Sequence, residues 1–352
     1  MKKKVIALAL SALMVTGLVG CGNSSSSGES MLKVGMVTDT GTIDDKSFNQ
    51  GTWEGIEKAA NEFGVDKTFI QPSGETEADY LTEIQNLYDS GYKFIVTPGY
   101  KFETAIYKAQ ETYKDAKFIL LDGEPNDGKD NRLVANNTVA VYFAEEQSGF
   151  IAGVAAAVEL KTGDFGFIGG MEIPAVARFK NGFKQGVEYA NEKYGTTISL
   201  KEQNMVYSGS FSDAALGQQL AAQMYDNGVK AIFTAAAGVN IGVITEAKSR
   251  VANGSEAWVI GVDTDQYHDG IYEDGKSVVL TSAIKNILES TYQIIESETK
   301  GEFPGGQVLR FDVKNDAVGI PAENPNLSED TMNKVNEVIN DIKADKIVVK
   351  AE

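Results

Sequence analysis

The chain has 352 residues, of which 42% are hydrophobic, and a formal net charge of −18 at pH 7. A protein this acidic repels phosphate backbones, so we expect no nucleic acid among its partners. Its single cysteine, Cys21, excludes a disulfide framework and a metal site built from thiolates.

The first residues have the pattern of an export signal. Residues 2–4 are three lysines, and the uncharged stretch 5–19 is too short to span a bilayer comfortably. It leads into the sequence LVGC, which resembles a bacterial lipobox whose cysteine, here Cys21, is acylated before cleavage. We therefore expect a lipoprotein signal peptide at 1–20, then a lipidated Cys21 and a flexible linker at 21–31. An ordinary signal peptide with an incidental cysteine is the alternative.

From Leu32 onward, short apolar runs alternate with amphipathic stretches. In the first predicted helix the apolar residues recur every three or four positions, as in Trp53, Ile56 and Ala60. Strands that alternate with helices in this way predict βαβ units and a parallel sheet. The predicted strands are 32–39, 67–72, 92–99 and 116–123, with helices at 47–64, 77–90 and 101–114.

The same alternation restarts after a strand near 133–141. Helices are predicted at 143–160, 175–194, 213–227 and 240–252, and strands at 164–170, 197–206, 230–238 and 258–263. A strand at 277–285 is predicted to return the chain to the first lobe, before helices at 286–300 and 328–343.

The length that follows the linker exceeds one comfortable hydrophobic core. We therefore predict an α/β fold of two lobes, each a parallel sheet flanked by helices, with the ligand cleft between them. Lobe I is expected at 32–140 with a return segment at about 283–305. Lobe II is expected at 141–282 with a C-terminal segment at about 306–352.

Parallel sheets bind ligands at the carboxyl ends of their strands, where loops and helix N-termini converge. Asp39, Asp122, Asp263 and Lys285 each lie at such a strand end. Phe48 falls in the first turn of the first helix, where its ring either points into the cleft or acts as a hydrophobic staple. The residues alone leave both interpretations open.

Several longer runs together resemble the BMP family of basic membrane lipoproteins, and within it the purine nucleoside receptor A group. The chain is acidic, whereas the family is named for basic members. This difference in net charge does not affect the match at any site residue. The runs are MVTDTGTIDDKSFNQGTWEGI (36–56), LLDG (120–123), ARFKNGF (177–183), SGSFSDAALG (208–217), IFTAAAG (232–238) and VIGVDTDQ (259–266).

This resemblance implies a type I periplasmic-binding-protein fold and a lipid-anchored receptor on the extracytoplasmic face of the cell membrane. It implies that purine nucleosides such as guanosine, adenosine or inosine are bound and passed to an ABC permease and ATPase, without a cofactor. The family's ligand contacts match Asp39 and Asp122 as acceptors, Phe48 with Asn49 and the opposing Phe211 at the base, and Asn240, Asp263 and Lys285 around the sugar.

Elementary chemistry agrees with a nucleoside. Two facing rings can sandwich a flat base, and ionised aspartates select ligands that present N–H or O–H groups. Three carboxylates would repel a phosphate, which favours a nucleoside over a nucleotide. Receptors for riboflavin or a simple sugar are the alternatives within this class.

No enzyme signature is present. His268 is the only histidine, and neither GxxxxGK[ST] nor GxGxxG occurs. We therefore expect no catalytic residue and no metal. Two other classes remain as alternatives: a ligand-sensing regulator without a transport role, and an exported nucleoside hydrolase.

Overall fold

The computed structural model describes residues 31–39, 41–129 and 131–352. The predicted signal peptide, the predicted lipidation of Cys21 and the linker up to Ser30 lie outside the described residues. Leu32–Glu352 form one compact unit.

The first half of the chain builds βαβ units, as its alternating pattern predicts. Local signals fix the helix ends: α2 starts with a capping box between Thr76 and Asp79, and α1 ends at Gly64, which has φ +70°. The elements are β1 (Lys33–Val37), α1 (Phe48–Phe63), β2 (Asp66–Ile70), α2 (Glu77–Asp89), β3 (Phe94–Pro98), α3 (Glu103–Thr112), β4 (Lys117–Leu121) and β5 (Thr138–Phe143).

The second half repeats this alternation. Helix α5 begins with Pro174 at its first position, where the missing N–H costs nothing. The elements are α4 (Glu145–Leu160), β6 (Thr162–Gly169), α5 (Pro174–Tyr194), β7 (Thr197–Tyr207), α6 (Ala214–Asp226), β8 (Val229–Ala235), α7 (Gly238–Ala252), β9 (Trp258–Asp263), β10 (Ile271–Glu273), β11 (Lys276–Ser277), β12 (Val279–Lys285), α8 (Ile287–Thr299), β13 (Val308–Phe311), β14 (Val318–Gly319) and α9 (Glu329–Lys343).

Two six-stranded sheets organise these elements. The first has the order β13-β5-β4-β3-β1-β2 and is parallel throughout. The second has the order β14-β12-β9-β8-β6-β7, with only β14 antiparallel. Each sheet has helices on both faces, with α2 and α3 on one face of the first and α6 and α7 on one face of the second. The predicted α/β fold of two parallel sheets is thereby confirmed.

The predicted return of strand 277–285 to the first lobe is wrong. The observed strand β12 pairs in parallel with β9 and is a member of the second sheet. The chain returns afterwards, when α8 packs against α1 and the short strand β13 pairs with β5. The sequence did not reveal β13 because its alternate residues are exposed, whereas β12 is buried almost throughout, as an inner strand of a parallel sheet should be.

Helices α4 and α5 approach each other unusually closely. Glycines stand where they meet: a Cβ added at Gly182 would lie 2.0 Å from the carbonyl oxygen of Glu146, and one at Gly186 would lie 2.1 Å from that of Phe150. Gly149 on α4 faces Phe179 in the same way. This close contact holds the N-terminus of α5 beside the start of α4, next to the cleft described below.

Candidate functional site

A cleft of about 600 Å³ opens where the carboxyl ends of strands from both sheets meet. That volume lies in the range of small-molecule sites, roughly 300–1,000 Å³. Seven of the eight predicted ligand contacts line it, namely Asp39, Phe48, Asn49, Asp122, Phe211, Asp263 and Lys285. The topology brings them together because β1 and β4 end in the first sheet opposite β9 and β12 in the second.

Two phenyl rings, one from each lobe, line the cleft. Phe48 is the first residue of α1 and Phe211 lies in the loop after β7; both are half-buried and also touch the main hydrophobic core. Gly170 leaves room for Phe211, since a Cβ there would lie 2.3 Å from the ring. The Phe48 ring therefore borders the cleft and packs against the core at the same time.

Asp39 is held by its own loop. Its Oδ1 accepts hydrogen bonds from the backbone N–H of Gly41 at 2.6 Å and from Asn49 Nδ2 at 2.9 Å. The same Asn49 nitrogen donates to Asp45 Oδ2 at 2.9 Å. Burial raises the pKa of Asp39 despite these hydrogen bonds. Asn49 thus orients a carboxylate that faces the cleft.

A chain of buried charges lies beneath the opposite part of the cleft. The Lys285 ammonium contacts Asp122 and lies 3.0 Å from Glu145 Oε1, and Arg178 Nε donates to Glu145 Oε2 at 2.6 Å. Lys285 and Glu145 are 2% and 0% exposed in their side chains. Asp122 belongs to the first lobe and Lys285 ends a strand of the second, so this network joins the lobes.

The charges in this network shift one another's protonation. Burial raises the pKa of Asp122 to about 6, with Lys285 opposing the shift and Glu145 adding to it. Burial also raises the pKa of Asp263. For Lys285, burial acts to lower the pKa, but Asp122, Glu145 and Asp263 outweigh it and the pKa rises above its ordinary value. The lysine therefore stays cationic among three carboxyl groups.

Backbone conformation sets the direction of the two strand-end aspartates. Asp122 has φ +55° and Asp263 has φ +64°, in the left-handed region that few residues other than Gly, Asn and Asp adopt. Ala237, which also lines the cleft, has φ +44°. Such conformations concentrate at functional sites because the surrounding structure must enforce them.

Asn240 does not line the cleft, which corrects its predicted role as a sugar contact. Its side chain is fully buried, and Nδ2 donates to Gln266 Oε1. The reason is helical geometry: successive residues of α7 point about 100° apart, so Ile241 faces the cleft and Asn240 faces the loop after β9.

Glu145 and Ser47 are site residues that sequence reasoning missed. Ser47 lines the cleft and its hydroxyl donates to Asp263 across the lobes. Glu145 had no signal in the sequence, because a glutamate in the first turn of a helix is common and its contacts with Lys285 and Arg178 appear only in the structure. Ser47 likewise had no signal in the sequence beyond its position directly before α1.

Within 31–39, 41–129 and 131–352, no group of three or more His, Cys, Asp or Glu side chains is arranged to hold a metal ion. None of the helices in these ranges is long and apolar enough to cross a bilayer. His268 lies exposed in a short turn, against the ring of Tyr267.

Comparison with known proteins places this site in context. Residues 32–352 match the family model described as ABC transporter substrate-binding protein PnrA-like. The chain is 36% identical to a CD4+ T-cell-stimulating antigen of Listeria innocua, with 96% of each chain covered. It is 35% identical to the ABC transporter nucleoside-binding protein BmpA of Lactococcus lactis subsp. cremoris, with 92% of this chain and 93% of that protein covered.

Solved structures agree at the level of the fold. A solute-binding protein of an ABC transporter system from Aeropyrum pernix superimposes with a TM-score of 0.77 at 23% identity, over 91% of this chain and 94% of that one. The chain therefore belongs to the PnrA-like family of ABC transporter substrate-binding proteins, which are not enzymes; they lie on the extracytoplasmic side of the membrane and present a small-molecule ligand to a transporter composed of a permease and an ATPase.

Proposed function

We propose that this protein binds purine nucleosides, such as guanosine, adenosine or inosine, in the cleft and delivers them to its permease. The observation that supports this most is the pair of half-buried rings, Phe48 and Phe211, that line one cleft from opposite lobes. Stacking between two rings contributes roughly 1–3 kcal/mol per ring to binding a flat base. A simple sugar needs no such pair.

The polar residues of the cleft fit the rest of a nucleoside. Asp122 and Asp263 accept hydrogen bonds from ribose hydroxyl groups, and Lys285 donates to the same oxygens. Asp39, oriented by Asn49, accepts from N–H groups at the edge of the base. The excess of carboxylates over ammonium groups here disfavours a phosphate, so nucleotides are expected to bind poorly.

Binding is proposed to close the two lobes, with lobe I and lobe II divided at the crossovers after β5, β12 and β13. Closure would order the cleft and form the surface that the permease recognises. The similarity to the nucleoside-binding BmpA of Lactococcus lactis supports the same ligand class.

We also propose that Cys21 carries the lipid that holds the protein at the membrane. Two or more acyl chains bind a bilayer stably, whereas one chain binds only marginally. The Ser- and Gly-rich residues that follow Cys21 would then act as a tether.

Calorimetry tests the ligand class directly. The chain is titrated with guanosine, inosine, adenosine, free guanine, riboflavin, ribose and guanosine monophosphate. The proposal predicts tight binding of the ribonucleosides, weaker binding of the free base and little binding of the nucleotide. Saturable binding of riboflavin or ribose in preference to every nucleoside would overturn it.

A further inference from the structure

The two lobes are joined directly at the mouth of the cleft by protein–protein hydrogen bonds. The backbone carbonyl of Lys46, in the loop before α1, accepts from Thr264 Oγ1 and from Gln266 Nε2, each at 3.2 Å. The neighbouring Ser47 hydroxyl donates to Asp263. Lys46 and Ser47 belong to the first lobe. Asp263 ends β9 of the second lobe, and Thr264 and Gln266 lie in the loop that follows it. We call these five residues the interlobe clasp.

Gln266 is held so that its amide nitrogen must face the first lobe. Its Oε1 accepts from the backbone N–H of Val262 at 3.0 Å and from Asn240 Nδ2. Its own backbone N–H donates to Ser282 Oγ at 3.1 Å. Gln266 is 1% exposed and Asn240 is 0% exposed. With the oxygen committed to two donors, only Nε2 remains to bind Lys46, so the amide orientation is fixed.

The backbone conformation of Lys46 directs the carbonyl group that Gln266 binds. Lys46 has φ +60°, a conformation that a lysine seldom adopts unless its surroundings enforce it. Phe48 follows two residues later and opens α1. A bond that fixes Lys46 against the second lobe therefore also fixes the first turn of α1, including the ring that faces the cleft.

We propose that Gln266 is a positioning residue that holds the lobes closed and sets the place of Phe48, with Asn240 orienting its amide. The clasp forms when the lobes are closed, and because its bonds join protein groups only, it favours the closed form whether or not a ligand is bound. This inference extends the proposed function and rests on it, because it names residues that control ligand affinity without contacting the ligand. Its main test needs no ligand, so it can fail independently of the nucleoside assignment.

The main test measures the distance between lobes without ligand. Spin labels are placed at Thr82→Cys on α2 and Ser249→Cys on α7, both exposed, in the full chain with Cys21→Ser so that no other cysteine is present. Double electron–electron resonance then gives the populations of closed and open forms. The test variants are Thr264→Val, which removes one donor isosterically, and Gln266→Glu, which keeps the acceptor but replaces the donor to Lys46.

Thr264→Val should lower the ratio of closed to open protein by about 2- to 12-fold, the effect of losing one hydrogen bond. Gln266→Glu should lower it further, because it also places a carboxylate against the Lys46 carbonyl. The matched control is Thr112→Val, which removes a hydroxyl that donates to the carbonyl oxygen of Lys108 at the exposed C-terminal end of α3. It should leave the distance distribution unchanged. A distribution for Thr264→Val that matches the parent would overturn the proposal, even if Gln266→Glu fails to fold.

A second readout separates positioning from general destabilisation. In stopped-flow experiments with the tightest-binding nucleoside, Thr264→Val should speed ligand release by a similar factor, and any fall in the melting temperature of the free protein should be no larger than the loss of one hydrogen bond produces. A fall in melting temperature with unchanged release would assign Gln266 a purely structural role and contradict the inference.

Discussion

Replacing Asp122 by asparagine should stabilise the free protein at neutral pH. Asn is close in shape to Asp and tolerates the φ of +55° found here, so the backbone need not move. The substitution removes a negative charge that is buried beside Glu145 and Asp263. Lys285 keeps Glu145 as its partner at 3.0 Å, so the ammonium is not left unpaired.

The magnitude follows from the raised pKa of Asp122, about 6 in the folded protein against an ordinary value of 3.8. Each pKa unit corresponds to about 1.4 kcal/mol, so ionised Asp122 opposes folding by roughly 3 kcal/mol. Between these two pKa values the folded state binds more protons than the unfolded state. The free energy of unfolding of the parent protein therefore falls as the pH rises from 4 through 6. This net pKa already includes the attraction to Lys285, so the expected gain at pH 7 is at most about 3 kcal/mol.

Urea unfolding of the ligand-free protein, followed by tryptophan fluorescence at pH 4, 5, 6 and 7, measures this difference. The variant and the parent should be about equally stable at pH 4, and the variant should gain as the pH rises. Asp115→Asn is the control: Lys93 and Tyr88 lower the pKa of that surface carboxyl, so its removal should bring no gain. A variant less stable than the parent at pH 7 would refute the reasoning, as would a difference that does not grow with pH.

Three further predictions concern the ligand and the anchor. Phe48→Ala should weaken guanosine binding by roughly 5- to 150-fold in calorimetry, and unchanged affinity would contradict base stacking. Asp263→Asn should weaken ribonucleosides strongly but a 2′,3′-dideoxy analogue much less, because that analogue offers no hydroxyl groups; equal losses for both would exclude a ribose contact. Cys21→Ser should abolish incorporation of labelled fatty acid, and unchanged labelling would rule out lipidation at this cysteine.

Most of the fold and of the cleft could be predicted because both depend on local sequence patterns. Alternating apolar runs define parallel strands, and the carboxyl ends of such strands meet at one edge. Asp39, Asp122, Asp263 and Lys285 were therefore predictable as neighbours, and all four line the cleft. Their roles in binding remain predictions.

What could not be predicted depends on side-chain direction and on distant partners. Asn240 follows a strand like the other candidates, but Gln266, which binds it, lies 26 residues further on. Glu145 is recognisable as a site residue only once Lys285 and Arg178 are seen to contact it. Strand β13 is four residues long and half exposed, so its position beside β5 has no local signal.

The left-handed backbone at Asp122 and Asp263 restricts how this receptor could evolve. Few amino acids other than Asp, Asn and Gly adopt such angles without strain, so only these few residue types are expected at either position. A homologue that switches to a different ligand would therefore be expected to keep these two positions and diversify elsewhere. Phe211, in the loop after β7, and Asp39, in the loop after β1, are free of that restriction. Adaptation to new ligands should be concentrated there.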